Sequence, residues 1–159
     1  MSSAHDADEC FLCAAGSSEP EKKNDRERHI IARGEKCFCL LNRYPYSNGH
    51  LLISPYAHEA ALEALDDATL LEMMRMACDA RSALERAVSA QGFNIGLNLG
   101  RDAGAGIADH LHLHVVPRWR GDTNFMSSIS QTKVIPQSLD DAWEKLRSNW
   151  PAATERKGD

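Results

Sequence analysis

Three histidines, His110, His112 and His114, occupy alternate positions in the run ADHLHLHVVPRW, residues 108–119, with Leu111, Leu113 and Val115 in the intervening places. In an extended chain, side chains two apart share a face, so this run makes one imidazole face and one aliphatic face. The aliphatic face is expected to pack inward and the imidazole face to look into a cleft. Imidazoles this close depress one another's pKa, so at least one is expected to be neutral near pH 7, and a neutral imidazole is both a nucleophile and a metal ligand. Directly upstream lies GRDAGAG, 100–106. Small residues there let backbone N–H groups approach an anion closely, and phosphate is the usual guest. A phosphate cradle beside a neutral histidine points to attack of ring nitrogen on phosphorus, giving a labile phosphoramidate. The rival reading, one catalytic metal held by all three histidines, must bridge about 13 Å of strand at about 3.3 Å per residue. A third reading is a binding or signalling module without catalysis.

Cys10 and Cys13 form a C-x2-C pair near the N-terminus, half of a tetrahedral metal site. The other cysteines read as core: Cys37 and Cys39 alternate on a strand, and Cys78 lies on a helical stripe.

The elements that position these groups follow from periodicity. HIIAR (29–33) and KCFCLLN (36–42), separated by Gly34-Glu35, read as a hairpin, and LLIS (51–54) as the next strand, ended by Pro55. From Asp67 to Ala90 a stripe of Leu70, Met73, Met74, Ala77, Leu84 and Val88 predicts a long amphipathic helix, terminated by Gly92. FNIGLNL (93–99) and residues 111–117 read as strands. SLDDAWEKLRSNW (138–150) predicts a short helix with Ser138 as N-cap and Trp143, Leu146 and Trp150 on one face. Residues 16–28 read as a polar loop. Short strands in tight turns with one long helix make an α+β domain on an antiparallel sheet of about five strands.

The chain has 159 residues, 43% hydrophobic and 26% charged, with a formal net charge of −5. One domain is expected over 10–150, with disordered tails at 1–9 and 151–159. The absence of any basic block speaks against nucleic-acid binding, and no apolar run approaches the ~20 residues of a membrane span. An odd count of five cysteines in a chain too long for a disulfide mini-domain, and an acidic, polar N-terminus, point to a cytoplasmic setting.

His110-Leu111-His112-Leu113-His114-Val115-Val116 resembles the signature of the histidine triad (HIT) superfamily of nucleotide hydrolases and transferases. LLNRYPYSNGHLLISP (40–55) is similar to that family's first nucleotide-binding segment. AGAGI and HVVPRWRGDTNFM look most like bacterial members that act on diadenosine tetraphosphate, phosphorylases among them. The resemblance implies a HIT-like fold and cleavage of a dinucleoside polyphosphate through a nucleotidyl-histidine, with water or phosphate as acceptor. It makes His112 the nucleophile, has His114 tend the phosphate and leaving group, and has His50 orient the triad. His110 would orient the strand, its carbonyl fixing the tautomer of His112. Asn42 and Asn98 would bind ribose or phosphate, and the backbone at Gly104, Ala105, Gly106 and Ile107 would hold phosphate oxygens. Leu40 or Leu41 would border the base, and Arg118, Trp119 and Arg120 would offer contacts to a second phosphate or base. Many members carry Gln or Ser in the loop before the triad, where this chain has Gly106 and Ile107. The resemblance also implies structural zinc on Cys10, Cys13, His58 and His110, no organic cofactor, and a homodimer.

Overall fold

The computed structural model describes residues 10–17, 22–43, 48–122 and 138–156. Five strands form one antiparallel sheet: β1 (Ile30–Arg33), β2 (Cys37–Leu41), β3 (Leu51–Pro55), β4 (Gly92–Leu97) and β5 (Leu113–Arg118), in the order β1-β2-β3-β5-β4. Their alternation makes the sheet two-faced. Cys37, Cys39, Leu41, Leu51, Ile53, Leu113 and Val115 point to one face and enter the main core. Phe38, Leu40 and Leu52 point to the other, with Cys10, Leu12, Ala15 and Ile30. The register places His114 opposite Leu52 on one side and Gly96 on the other, so the imidazole face shares the second side of the sheet.

The main core is covered by α3 (Asp67–Val88) and α4 (Leu139–Ser148). Two shorter helices, α1 (Phe11–Gly16) and α2 (Lys22–Glu27), precede the sheet. Asp66 caps α3, its carboxylate accepting from Thr69 N–H at 2.7 Å. Ser138 caps α4 as its sequence predicts, accepting from Asp141 N–H, and Ala142, Trp143 and Leu146 are buried. Trp143 donates its indole N–H to the Ile30 carbonyl at 2.8 Å, which ties α4 to β1.

Several expectations shift. Residues 16–28 are not all loop, because Lys22–Glu27 is helical and its Asp25 is buried between Arg33 and Arg147. The stripe on α3 is turned from the predicted one. Met73, Met76, Ala77, Ala80, Ala83 and Leu84 are buried, whereas Met74 and Cys78 are exposed. Small alanines allow close approach to the sheet, and their phase sets which face goes in. Gly92 does not end α3; Ser89 does, in a left-handed conformation at φ 53°, and Gly92 opens β4. The triad is only partly strand: the ladder begins at Leu113, and residues 110–112 lie outside it, with His110 in a bend. Residues 1–9 lie outside the described residues. At the other end, where a tail from 151 is expected, Pro151 is buried, residues 153–156 form a 3-10 turn, and Glu155 pairs with Arg86.

Candidate active site and metal cluster

The segment carrying His110 and His112 needs other ties because it lies outside the ladder. Leu111 N–H donates to the Glu59 carbonyl at 2.7 Å, and Ser54 Oγ donates to the Leu111 carbonyl at 3.1 Å. His110 Nε2 donates to the Pro55 carbonyl at 2.9 Å. His112 Nδ1 donates to the His110 carbonyl at 2.8 Å. A carbonyl only accepts, so each contact fixes a tautomer: neutral His110 keeps its lone pair on Nδ1, and neutral His112 keeps its lone pair on Nε2.

His50 is fully buried and enters from the residue before β3. Gly49 makes this entry possible: its φ is +84°, and a Cβ there would lie 2.8 Å from Leu84 Cδ2. His50 Nε2 lies 2.9 Å from His114 Nδ1, and Asn42 Nδ2 lies 3.4 Å from His50 Nδ1. With the Asn42 amide donating, neutral His50 carries its proton on Nε2 and donates to His114. Neutral His114 then carries its proton on Nε2. Burial, then the charges of His114 and His112, hold His50 down at about 3. Burial, then His112, holds His114 at about 4. Both are therefore neutral at pH 7, and the chain Asn42–His50–His114 is a one-way line of neutral donors.

These groups border a cavity of about 470 Å³ lined by Phe11, Asn42, Arg43, Leu52, Gly104, Gly106, Ile107, His112 and His114. The apolar part comes from Phe11, Leu52 and Ile107, and the Arg43 guanidinium lies 5.8 Å from the Phe11 ring centroid. A Cβ at Gly104 or Gly106 would meet nothing within 4 Å, so the loop opens onto free space, where bare backbone can meet a ligand. Asn42, Gly104, Gly106, Ile107, His112 and His114 thus come together as expected. Ala105 does not line this cavity; it lines a neighbouring one of about 480 Å³ with Cys10, Phe11 and Arg101. Asn98, just past β4, lines neither.

Leu40 and Leu41 are wholly buried rather than at the cavity, and Leu52, the cross-strand partner of Leu40, lines it instead. Arg118 is held by Asp122 and Asn94, and Trp119 donates to the Val88 carbonyl. Neither these nor Arg120 lines the cavity. Phe11 and Arg43 are the residues that sequence reasoning missed. Their signals were an aromatic between two ligand-type cysteines and a cation following Asn42.

Cys10, Cys13, His58 and His110 converge as expected, with one ligand atom from each within 4.8 Å of all the others. Cys10 Sγ lies 3.3 Å from His110 Nδ1, and Cys13 Sγ lies 3.1 Å from His58 Nδ1 and 3.4 Å from His110 Nδ1. A tetrahedral ion at ordinary Cys and His bond lengths needs S···N edges of about 3.5 Å. The Pro55 bond leaves the correct nitrogen of His110 available, so the donor set fits a metal ion. Burial, then the hydrogen bond and charge of Cys10, push the metal-free Cys13 thiol up to about 11, so a bound ion must displace its proton.

Comparison with known proteins agrees with this geometry. The model of the HIT domain matches residues 23–121. An AP-4-A phosphorylase from Mycobacterium tuberculosis (strain CDC 1551 / Oshkosh) is 43% identical over 133 residues, covering 84% of this chain and 68% of the relative. The crystal structure of a Zn-bound histidine triad family protein from Mycobacterium smegmatis is 26% identical with a TM-score of 0.69, covering 90% of this chain and 94% of that one. A hypothetical histidine triad nucleotide-binding protein from Sulfolobus tokodaii is 28% identical with a TM-score of 0.62, covering 87% and 93%. With the family match spanning the sheet, the loop and all three histidines, the chain belongs to the HIT domain family.

Proposed function

We propose that this protein cleaves dinucleoside polyphosphates such as diadenosine tetraphosphate at the α-phosphate through a nucleotidyl-His112 intermediate, with orthophosphate as acceptor. The observation that carries the reading is the His112 tautomer: a neutral ring with Nδ1–H bound to the His110 carbonyl must present the Nε2 lone pair, and the ring lines the cavity. Nε2 forms a P–N bond to the α-phosphorus while the bond to the bridging oxygen breaks, releasing ATP. His114, kept neutral and donating at Nε2, hydrogen-bonds that oxygen as charge builds on it. A phosphate oxygen then displaces His112 and gives ADP. Asn42 takes the ribose, Gly104, Gly106 and Ile107 hold the phosphates, and Phe11, Leu52 and Ile107 receive the base.

The relative named AP-4-A phosphorylase supports phosphate over water as acceptor. The four-residue cluster takes zinc in this reading, as its two thiolates and two imidazoles suit that ion. Zinc there links α1 to the segment 110–112 and supplies no chemistry to the phosphoryl step.

Incubation with diadenosine tetraphosphate, with and without phosphate, tests the reading. ADP and ATP formed only with phosphate are expected. AMP and ATP formed without phosphate would make it a hydrolase, and intact, bound substrate would leave only a binding module. We also propose a homodimer. Leu71, Met74, Ile95 and Leu99 are exposed, and among the described residues β4 is the last strand of the sheet.

A further inference from the structure

Cys10 and Cys13 stand on either side of Phe11, which lines the nucleotide cavity. Both sulfurs reach the histidine pair of the cluster, so the backbone that carries Phe11 is fixed where the cluster closes. At this end Leu12 is buried beside Phe11 in the second core, and the Phe11 ring packs against that core from its rim. The helix has six residues, no side-chain cap at Cys10, and a length far below what is stable alone. Its other end is held without any metal. Ala15 is buried, Arg28 donates to the carbonyls of Ala14 and Ala15, and Arg33 donates to those of Ala15 and Gly16. The opposite wall of the cavity is also held without a metal, because His110, Leu111 and His112 have the Pro55, Glu59, Ser54 and His110 bonds described above. Of the residues that line the cavity, Phe11 is the one flanked in sequence by two of the four cluster residues, Cys10 and Cys13.

We propose that Phe11 couples the metal cluster to nucleotide affinity: with the four ligands closed on a metal the ring is fixed as one wall of the base site, and without it the ring is released. The proposal rests on the nucleotide reading of the cavity given above. Arg43, 5.8 Å from the same ring, closes the wall from the other side, so displacement of Phe11 also removes its support. A coupling between two sites is reciprocal, so bound nucleotide must tighten the metal by the same factor by which the metal tightens nucleotide.

The test uses AMP as the minimal ligand that fills base, ribose and α-phosphate positions, with binding measured by calorimetry. Zinc-loaded wild type is expected to bind AMP about tenfold or more tightly than chelator-stripped wild type, and saturating AMP to raise zinc affinity, measured against a chromogenic chelator, by the same factor. Phe11→Ala should keep its zinc affinity, bind AMP weakly in both states and lose the reciprocal effect, while Phe11→Tyr should restore it. Equal AMP affinity in loaded and stripped wild type, or full coupling in Phe11→Ala, overturns the proposal. If circular dichroism shows the stripped chain unfolded, the loaded proteins decide: Phe11→Ala must weaken AMP about tenfold at unchanged zinc content, and an unchanged Kd overturns the coupling. Failure of loaded wild type to bind AMP at all overturns the nucleotide reading and the coupling together, whereas equal binding in both states overturns the coupling alone.

Discussion

At the scale of single residues, four imidazoles with almost the same chemistry are separated by the bonds each one makes. His110 gives Nε2–H to Pro55 and turns Nδ1 to the cluster, while His112 gives Nδ1–H to His110 and turns Nε2 to the cavity. Replacing His112 with Ala should lower turnover by at least about 10³-fold, as removal of a nucleophile does, with the thermal midpoint and nucleotide binding retained; steady-state rates and a melt on the same sample check both. His50 and His114 carry a pH signature. Their folded pKa values, about 3 and about 4, lie below the ordinary value of 6.5. The unfolded chain therefore binds more protons between those limits, and stability is complete above about pH 6.5 and falls as pH drops towards 4 and then 3. Each histidine costs up to about 1.4 kcal/mol per pH unit inside its window. Chemical denaturation at pH 7, 6 and 5 should show this fall, and His50→Gln should flatten it; a profile flat in wild type would contradict the neutral relay.

At the scale of elements, the period-two signal was the legible part. Cys37, Cys39 and Leu41 against Phe38 and Leu40, or Leu113 and Val115 against His114, were readable because a strand gives alternate residues to opposite faces. The phase of α3 was not. Leu70, Met73, Met74 and Ala77 all look apolar in sequence, and only packing selects the alanine side and leaves Met74 out. The helix α1 was invisible because FLCAAG is too short to show a period, and its stability comes from Leu12 in the second core and from the cysteines. Leu12→Ala should accordingly cost about 2–5 kcal/mol, read from urea unfolding. Glu72 shows a contact that local sequence does not reveal. From α3 its carboxylate accepts the backbone N–H groups of Glu35, Lys36 and Cys37 at 3.0, 2.7 and 2.6 Å, and a Cβ on Gly34 would strike it at 2.8 Å. Glu72→Ala should lower stability by about 1–3 kcal/mol by leaving those donors without a partner, again read from urea unfolding.

At the scale of the whole molecule, the sheet works as a partition. One side is filled by α3 and α4 and holds the fold; the other carries the second core, the metal cluster and the cavity. Of the four candidate metal ligands, only the C-x2-C pair was a local cue to a metal; His58 and His110 joined it through the family resemblance, and the convergence over about a hundred residues of chain comes from the fold. Asn98, Leu40 and Leu41 do not line the cavity, and a residue type suited to a ligand says nothing about which strand end or layer it occupies. The exposed apolar residues Leu71 and Met74 on α3 and Ile95 on β4 belong to this scale too. Light scattering should report two copies, and Ile95→Lys with Met74→Lys should shift the protein to one.

All of this converges on whether phosphorus is ever bonded to His112. Mixing zinc-loaded protein with diadenosine tetraphosphate in the absence of phosphate, quenching in base and mapping peptides by mass spectrometry answers it directly. The account predicts an adenylyl group on the peptide containing His112, stable in base, lost in acid, discharged to ADP when phosphate is added, and absent from His112→Ala. Turnover with no adenylyl group on the protein, or with the group on another residue, would contradict it.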